Sequence, residues 1–431
     1  ERQIANVAAG TEATDAVNLA QLQAVQDQAG DVRYLAVEGA DDGSDDARAS
    51  GEGASAIGAG AVADGDGALA SGYQANAFGP GAMALGPQAL ASGVGALSIG
   101  ANSTAASTNA TAIGQGTSAT GEFSTATGGH YAGLLHNAPV ELSTIASGPA
   151  ASAYGAGAQA TGGYSVAVGA TANATAAQTT AAGFNASATG GTSVAIGAYS
   201  NAAAVRGTAV GYGALAGGQS AQVFGWDAQG KGDLSTVFGY AGRGDGHYSV
   251  VIGPYAQASG FGTSAIGPWA KSSGYLSAAQ GYFAEASGSW SMAQGSYALA
   301  SATGAIAIGS NAKATAANAT ALGTGAVADR ANSVSFGSVG AERQLTNVAD
   351  GTAATDAVNK RQLDAMAASV GDDMSELAAS MVRYDGTDKS TATLAGAEGT
   401  TLRNLRAGTA SSDAVNVAQL DSVASVLGGG A

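Results

Sequence analysis

A glycine recurs every 14 residues along most of this 431-residue chain, and this period constrains the fold more than any other feature. The register holds from Gly58 to Gly128 and resumes, after one irregular interval, from Gly155 to Gly337, which makes 20 registered glycines. Self-similarity at a short fixed period is typical of stacked structural repeats that contact only their neighbours. The chain is therefore predicted to be a solenoid, and its function must be one that a long repetitive rod can perform.

Each repeat contains two short alternating runs separated by corner residues. We number the coil so that the registered glycine is position five, as in SVAVGATANATAAQ (165–178) and SVVIGPYAQASGFG (249–262). One run occupies positions one to four, and the second centres on small residues at positions eight and ten. Glycine at position five and a Gly, Ser or Ala cluster near position twelve supply the corners. Two strands and two turns per coil predict a two-sided parallel β-roll, with coils about 4.8 Å apart.

Charge is absent from the first strand of every coil. Positions one to five hold no Asp, Glu, Lys or Arg in any of the 20 coils, although charges occur later in the coil. A strand uncharged on both faces is predicted to be buried on both. We expect one face to fill the roll and the small side chains of the other to pack against another copy. The residues predicted to fill the roll are Val166, Val168, Ile196, Ile252, Ile266 and Ile308, and Gln280 and Gln294 are expected to form a buried amide ladder.

Composition supports oligomerisation and excludes other classes of function. A core of mostly Ala, Ser and Thr buries too little apolar surface to offset the entropy of ordering the chain, so an obligate homo-oligomer is predicted. The net charge of −16 argues against a nucleic-acid partner, and no run of 18 apolar residues could form a spanning helix. With no Cys, three scattered His and no recurring acid pair, we predict no enzyme activity, no metal site and no cofactor. The acidic run 41–46 lacks the order of an EF-hand loop and is predicted to be a solvated linker.

A second repeat, which includes Asp-Ala-Val-Asn, occurs three times, at 2–22, 343–363 and 402–420. Thr14, Thr355 and Ser412 precede that tetrapeptide, which predicts a helix N-cap followed by a carboxylate on the first turn. Apolar residues spaced 3, 4, 4, 3 and 4 follow the second copy and predict a coiled-coil seam, with one amphipathic helix of a globule as the alternative. The seam residues are Leu363, Met366, Val370, Met374, Leu377 and Met381.

The SVAIG-type coils followed by LTNVADGTAATDAVNKRQL (345–363 within the second copy) resemble the YadA-like head and neck of trimeric autotransporter adhesins. The resemblance implies a mainly β homotrimer of left-handed parallel β-rolls with neck motifs and short trimeric coiled-coil segments. The implied neck and trimer residues are Asn347, Gly351, Asp356, Val358, Asn359, Gln362 and Leu363. The implied domains are a neck (1–22), a short helix and connector (23–50), a head (51–340) with an irregular insertion (129–150), a neck (341–363), a stalk (364–381), a small β-rich insertion (382–401), and a neck with the next stalk helix (402–431).

Aromatic residues follow the registered glycine at position six or seven in nine consecutive coils. They predict either a packed ladder that seals the roll edge or the subunit seam, or a surface that grips an extended ligand such as collagen or a glycan. The candidate ligand-binding residues are Phe184, Tyr199, Tyr212, Trp226, Tyr240, Tyr255, Trp269, Tyr282, Phe283 and Tyr297. The irregular segment 129–150 is either a binding loop or a degenerate coil, and the spacing of its His130 and His136 matches no metal motif.

The resemblance implies a surface adhesin, which would work through avidity, with three copies of each weak patch. By the resemblance, it would be a type V secreted passenger on a Gram-negative cell, anchored in the outer membrane only through a C-terminal region that this chain lacks. The expected partners are a host extracellular-matrix protein or cell-surface glycan, and other adhesin heads in autoaggregation and biofilm. The alternatives are a trimeric β-helix polysaccharide depolymerase, as on phage tails, and a purely structural spacer. Since Glu1 is followed by no signal peptide, we expect a piece of a longer protein.

Overall fold

The computed structural model describes residues 3–30, 40, 42–135, 138–394 and 396–428. The chain forms two compact units, Glu1–Arg343 and Gln344–Ala431. The first contains the repeats, and the predicted parallel β-roll is confirmed there. Each strand pairs in parallel with its equivalent one coil later, as Val166–Val168 pairs with Thr180–Ala182. The roll therefore has two sheets, each with 20 strands in the described part of the chain.

The two sheets differ in strand length, and we name them accordingly. The long-strand sheet contains Ser55–Ile57, Leu69–Ser71, Met83–Leu85, Leu97–Ile99, Thr111–Ile113, Thr125–Thr127, Ser152–Tyr154, Val166–Val168, Thr180–Ala182, Val194–Ile196, Thr208–Val210, Gln222–Phe224, Thr236–Phe238, Val250–Ile252, Ser264–Ile266, Ala278–Gln280, Met292–Gln294, Ile306–Ile308, Thr320–Leu322 and Val334–Ser335. The short-strand sheet contains Arg48–Ala49, Val62–Ala63, Asn76–Ala77, Leu90–Ala91, Thr104–Ala105, Ser118–Ala119, Ile145–Ala146, Gln159–Ala160, Asn173–Ala174, Ser187–Ala188, Asn201–Ala202, Leu215–Ala216, Gln229–Gly230, Arg243–Gly244, Gln257–Ala258, Lys271–Ser272, Glu285–Ala286, Leu299–Ala300, Lys313–Ala314 and Val327–Ala328.

Alanine and serine form the interior of the roll, at positions one, three, eight and ten. In coil 165–178, Ser165, Ala167, Ala172 and Ala174 have no exposed surface. The prediction that valines and isoleucines fill the roll is wrong, because positions two and four project outward. The residues concerned, all outside the interior, are Val166, Val168, Ile196, Ile252, Ile266 and Ile308. Gln280 and Gln294 share position four, so they are exposed in the protomer and do not form a buried ladder.

The interior has room for little more than methyl groups. The largest fully buried side chains among the described residues are three valines at position three, including Val223 and Val237. Each of these two faces a glycine: a Cβ on Gly230 would lie 2.6 Å from Val223 Cγ2, and one on Gly244 would lie 2.8 Å from Val237 Cγ2. A larger residue in one strand is therefore matched by a smaller one in the other, as close packing requires.

The registered glycine is required by both conformation and space. Gly253 has a φ of 131°, a region that residues with a Cβ rarely adopt. A Cβ at this position would also lie 2.8 Å from the backbone carbonyl carbon of Gly267, in the next coil. The 14-residue period is thus the period at which one corner stacks on the next.

The irregular interval is a β-hairpin inserted at one corner of an otherwise regular coil. Its strands, His130–Leu135 and Ala138–Ser143, are antiparallel. The sheets continue past the hairpin, since Thr125–Thr127 pairs with Ser152–Tyr154. Gly128 and Gly155 are 27 residues apart, which is one coil of 14 plus 13 inserted residues. The segment therefore forms a loop and not a degenerate coil, and its role in binding stays a prediction. His136 lies outside the described residues.

Three α-helices follow the three necks: α1 (Leu19–Gly30), α2 (Lys360–Ser380) and α3 (Val417–Gly428). The apolar seam of α2 is exposed in the protomer, and no residue of this helix is buried. The predicted β-rich insertion at 382–401 is not seen, because the described residues 382–394 and 396–401 contain turns and no strand. In that segment the Asp385 carboxylate accepts a hydrogen bond from Thr393 N at 3.0 Å, which closes a loop in place of a strand pair.

Candidate functional site

The ten aromatic residues predicted as ligand contacts form one continuous ladder. It runs along the corner between the long strand and the short strand, at positions five to eight, which we call the first corner. Ring centroids of successive coils are between 4.2 Å, for Tyr255 and Trp269, and 5.7 Å, for Tyr212 and Trp226. Tyr282 joins from the side, 4.6 Å from Phe283. The structure therefore brings all ten together, from Phe184 to Tyr297, as the repeat predicted.

Many of the ring faces in the ladder are covered by neighbouring rings. The planes of Trp226 and Tyr240 differ by 5°, and those of Trp269 and Phe283 by 2°. Parallel stacking along the roll leaves mainly ring edges and polar tips for contact with another molecule. The exposed members retain between 38% and 50% of their surface. The ladder is thus partly packed against itself and partly available.

Tyrosine hydroxyls pair between neighbouring coils of the ladder. The Tyr240 hydroxyl donates a hydrogen bond to Tyr255, which raises the pKa of Tyr240, and partial desolvation adds to the effect. Desolvation together with the neighbouring Tyr282 hydroxyl raises the pKa of Tyr297. Tyrosine hydroxyls can both donate and accept hydrogen bonds, so the ladder offers both kinds of group to a ligand.

A second aromatic row lies along the opposite corner, at positions eleven to fourteen, which we call the second corner. Centroids are 5.3 Å apart for Tyr248 and Phe261, 5.5 Å for Phe261 and Tyr275, and 5.9 Å for Tyr275 and Trp290. All four side chains are exposed. This row was not predicted, although its signal is present in the sequence as aromatics at position thirteen or fourteen of four consecutive coils.

The outer faces of the two sheets have opposite chemistry. Positions two and four of the long-strand sheet carry no charge and include exposed apolar side chains such as Ile196 and Ile252. On the same face Phe224 and Phe238 stack at 4.8 Å. The short-strand sheet instead exposes charges such as Lys271 to solvent. The expectation that small side chains line the uncharged outer face is wrong, because the larger apolar residues project there and the small ones fill the interior.

The neck residues predicted from the resemblance form a hydrogen-bonded unit. Asn359 is the N-cap of α2: its side-chain oxygen accepts from Gln362 N at 3.1 Å, and its amide donates to Val348 O at 3.1 Å. Gln362 exchanges hydrogen bonds with the backbone of Gly351, at 2.9 Å and 3.1 Å. Asn347 has a φ of 62°. The side chains of Val358 and Leu363 are exposed in the protomer.

The predicted position of the N-cap is wrong in all three necks, because the helix begins after the asparagine. In the second neck, Asp356 precedes the helix and its carboxylate accepts from Thr352 N and Ala353 N, both at 2.9 Å. These two backbone hydrogen bonds, Ala353 first, hold the pKa of Asp356 below its ordinary value. Asp15 and Asp413 make the equivalent hydrogen bonds. Thr355 therefore does not cap the helix, and Asp356 closes a turn.

Arg343 terminates the stack of coils. In the preceding coils, carbonyls at positions four and six accept the N–H groups of the next coil, as Gln294 O accepts from Gly309 N. At the end of the roll, the guanidinium of Arg343 donates to Leu322 O at 3.5 Å, to Phe336 O at 2.7 Å, and to Thr324 O. One side chain thus satisfies carbonyls that no further coil can reach, a role that the sequence analysis missed.

The described residues contain no group of three or more His, Cys, Asp or Glu placed to hold a metal ion. Within the same ranges, every helix is too short or too polar to cross a lipid bilayer.

Comparison with known proteins defines the class to which this roll and its necks belong. The family model described as the coiled stalk of trimeric autotransporter adhesin matches residues 3–33, 344–382 and 402–431. The YadA head domain repeat matches 49–75, 63–89, 77–103, 91–117, 105–130, 160–186, 188–214, 245–268, 258–275, 286–312 and 314–338. The head matches alone cover more than half of the chain, so the chain belongs to the trimeric autotransporter adhesins. Membership in an adhesin family points to a protein without enzyme activity.

Proteins that are similar to parts of the chain include the following two. The trimeric autotransporter adhesin AtaA of Acinetobacter sp. (strain Tol 5) is 49% identical over 71 residues, which are 16% of this chain and 2% of AtaA. The chain thus spans about 2% of the length of that relative. The crystal structure of the collagen-binding domain of Yersinia adhesin YadA is similar at 29% identity and a TM-score of 0.27, over 41% of this chain and 84% of that domain.

Proposed function

We propose that this chain is part of the passenger of a homotrimeric surface adhesin, exported by type V secretion and anchored in the outer membrane of a Gram-negative cell. We propose the domain boundaries predicted above, with a head, three necks and stalk segments, except that 382–401 is a connecting segment without strands among its described residues. The observation that carries the trimer is the uncharged outer face of the long-strand sheet, which exposes apolar side chains such as Ile252 (44% exposed). Contiguous exposed apolar surface marks a place where another protein packs, and sister chains are the occupants that the family supplies.

We propose further that the aromatic ladder contacts the ligand wherever no sister chain covers it. Sugar rings stack on open aromatic faces, which this ladder offers poorly, whereas its edges and hydroxyl tips suit a chain with regularly spaced carbonyls. Two coils advance about 9.6 Å along the roll. Three residues of a polyproline II helix, the conformation of collagen chains, advance about 9.3 Å. This agreement favours a collagen-like host matrix protein over a glycan.

The test is binding of the trimeric chain to immobilised triple-helical collagen, with heat-denatured collagen, a glycan array and the chain itself as parallel targets. The proposal expects binding to the triple helix that is lost on denaturation. Stronger binding to a glycan than to collagen would contradict the proposed collagen-like ligand and identify a glycan in its place. Binding only to the chain itself would favour the predicted autoaggregation. Binding to none would favour the spacer, and release of sugars from a polysaccharide would favour the depolymerase.

A further inference from the structure

The two aromatic rows coincide in four coils of the head. Coils 235–248, 249–262, 263–276 and 277–290 carry rings at both corners, such as Trp269 at the first corner and Tyr275 at the second. The ladder continues for several coils toward the N-terminus without a partner row. There, the second corner carries no aromatic ring: it has Gly191 and Thr192 in the coil of Phe184, Val205 and Arg206 in the coil of Tyr199, and Gln219 and Ser220 in the coil of Tyr212.

Both corners border the outer face that we assign to the trimer, because the long strand connects them. If three copies turn this face toward a common threefold axis, the two edges of each sheet meet the edges of its neighbours. Rotational symmetry makes each such contact heterologous, so the first corner of one copy meets the second corner of the next. A pure rotation involves no shift along the axis, so a given coil of one copy meets the same coil of the next copy.

We propose that the two aromatic rows of neighbouring chains pack together across the subunit seam in the four coils 235–290. The ladder residues Tyr240, Tyr255, Trp269 and Tyr282 then face the second-row residues of the partner. The second row is apolar enough for such a seam, and its last member, Trp290, is 60% exposed in the single chain. Aromatic side chains are enriched at the energetically dominant centres of protein interfaces. The proposal rests on the trimer proposed above.

The proposed seam gives the two parts of the aromatic ladder different roles. The part between Tyr240 and Tyr282 joins subunits. The part with Phe184, Tyr199 and Tyr212 meets no aromatic ring of the next chain. These three side chains therefore keep more of their surface accessible to ligand.

Two single-tryptophan proteins test this division. The chain has three tryptophans, so Trp226→Phe with Trp269→Phe leaves Trp290 as the only reporter. The matched control adds Trp290→Phe and places the reporter on the ladder by Tyr212→Trp. Sedimentation first establishes the oligomeric state of both proteins, and acrylamide quenching of fluorescence then measures access to each reporter.

In the single chain Trp290 is more exposed than Tyr212, at 60% against 49%. The seam predicts the reverse order in the trimer, with Trp290 quenched less than the reporter at position 212. If both proteins are trimers and Trp290 is quenched at least as strongly as the tryptophan at position 212, the seam is refuted and the trimer stands. If both proteins are folded monomers, the trimer itself fails, and the seam fails with it.

Discussion

The two sheets of the roll share one interior but differ on their outer faces. Both bury alanine and serine inside, as Ala167 and Ala174 show for one coil. Outside, the long-strand sheet is uncharged and rich in Val and Ile, whereas the short-strand sheet carries charges such as Arg243 and Lys313. Since both sheets have the same parallel pairing, the difference does not come from strand formation. It indicates that one face meets another chain and the other meets water.

The largest expected effect comes from a charge placed on each face. Ile252→Asp should prevent trimer formation, because each copy would bury a carboxylate without a partner at a cost of several kcal/mol. Gln257→Asp, in the same coil but on the short-strand face, should change stability by less than about 0.5 kcal/mol. Sedimentation and thermal melting compare the two variants. Equal behaviour would show that the two faces are equivalent.

A second prediction separates the shared interior from both faces. Gly244→Ala should destabilise the roll by about 1–3 kcal/mol, because the added methyl overlaps Val237. Adding Val237→Ala should restore most of the loss, since the volume is then balanced. Thermal melting measures both effects, and sedimentation should show an unchanged oligomeric state. No rescue in the double variant would contradict the proposed volume match.

A third prediction concerns the corner where the two faces meet. Replacing Tyr240, Tyr255 and Trp269 by Ala should lower the melting temperature of the trimer, since aromatic pairs contribute about 0.5–1.5 kcal/mol each. The matched variant, with Phe184, Tyr199 and Tyr212 replaced by Ala, removes comparable contacts within the chain but none across the seam. It should lose more collagen binding and less stability, as binding assays and melting curves can show. The opposite pattern would assign ligand contact to the C-terminal part of the ladder.

The smallest expected effect is acid sensitivity of the necks. The outer face of the long-strand sheet carries no carboxyl group. In the necks, by contrast, the lowered pKa of Asp356 stabilises the turn. A carboxyl group whose pKa is lower when folded stabilises above its ordinary pKa, and that contribution is lost as pH falls through the folded value. Neck stability should therefore decline below about pH 4. Hydrogen exchange of the Thr352 and Ala353 amides measures the stability of the neck turn as a function of pH. Asp356→Asn should remove the pH dependence. If the dependence is unchanged in this variant, another group is responsible for it.

Several features were predictable because they follow from local residue spacing. Gly253 and its equivalents mark a corner that no larger residue can occupy, so their period predicts the coil. The alternation around Val166 predicts a strand, and aromatics at position six or seven predict a ladder. The necks were recognisable as a repeated unit, but the N-cap was placed too early. Thr355 and Asn359 both have capping side chains, and only the path of the backbone decides which one precedes the helix.

By itself, the sequence determined the repeat, the two strands per coil, the absence of charge from one strand and the family. Only the tertiary structure decided which of the two alternating sets of side chains in each strand faces the interior of the roll. A period of two defines two sets of side chains but not their direction. The direction depends on the distance between the sheets, which is short enough that Ala167 fits inside and Val168 must point out. The structure likewise decided that the 13 extra residues between Gly128 and Gly155 form a hairpin outside the stack, because the strands on either side pair without interruption.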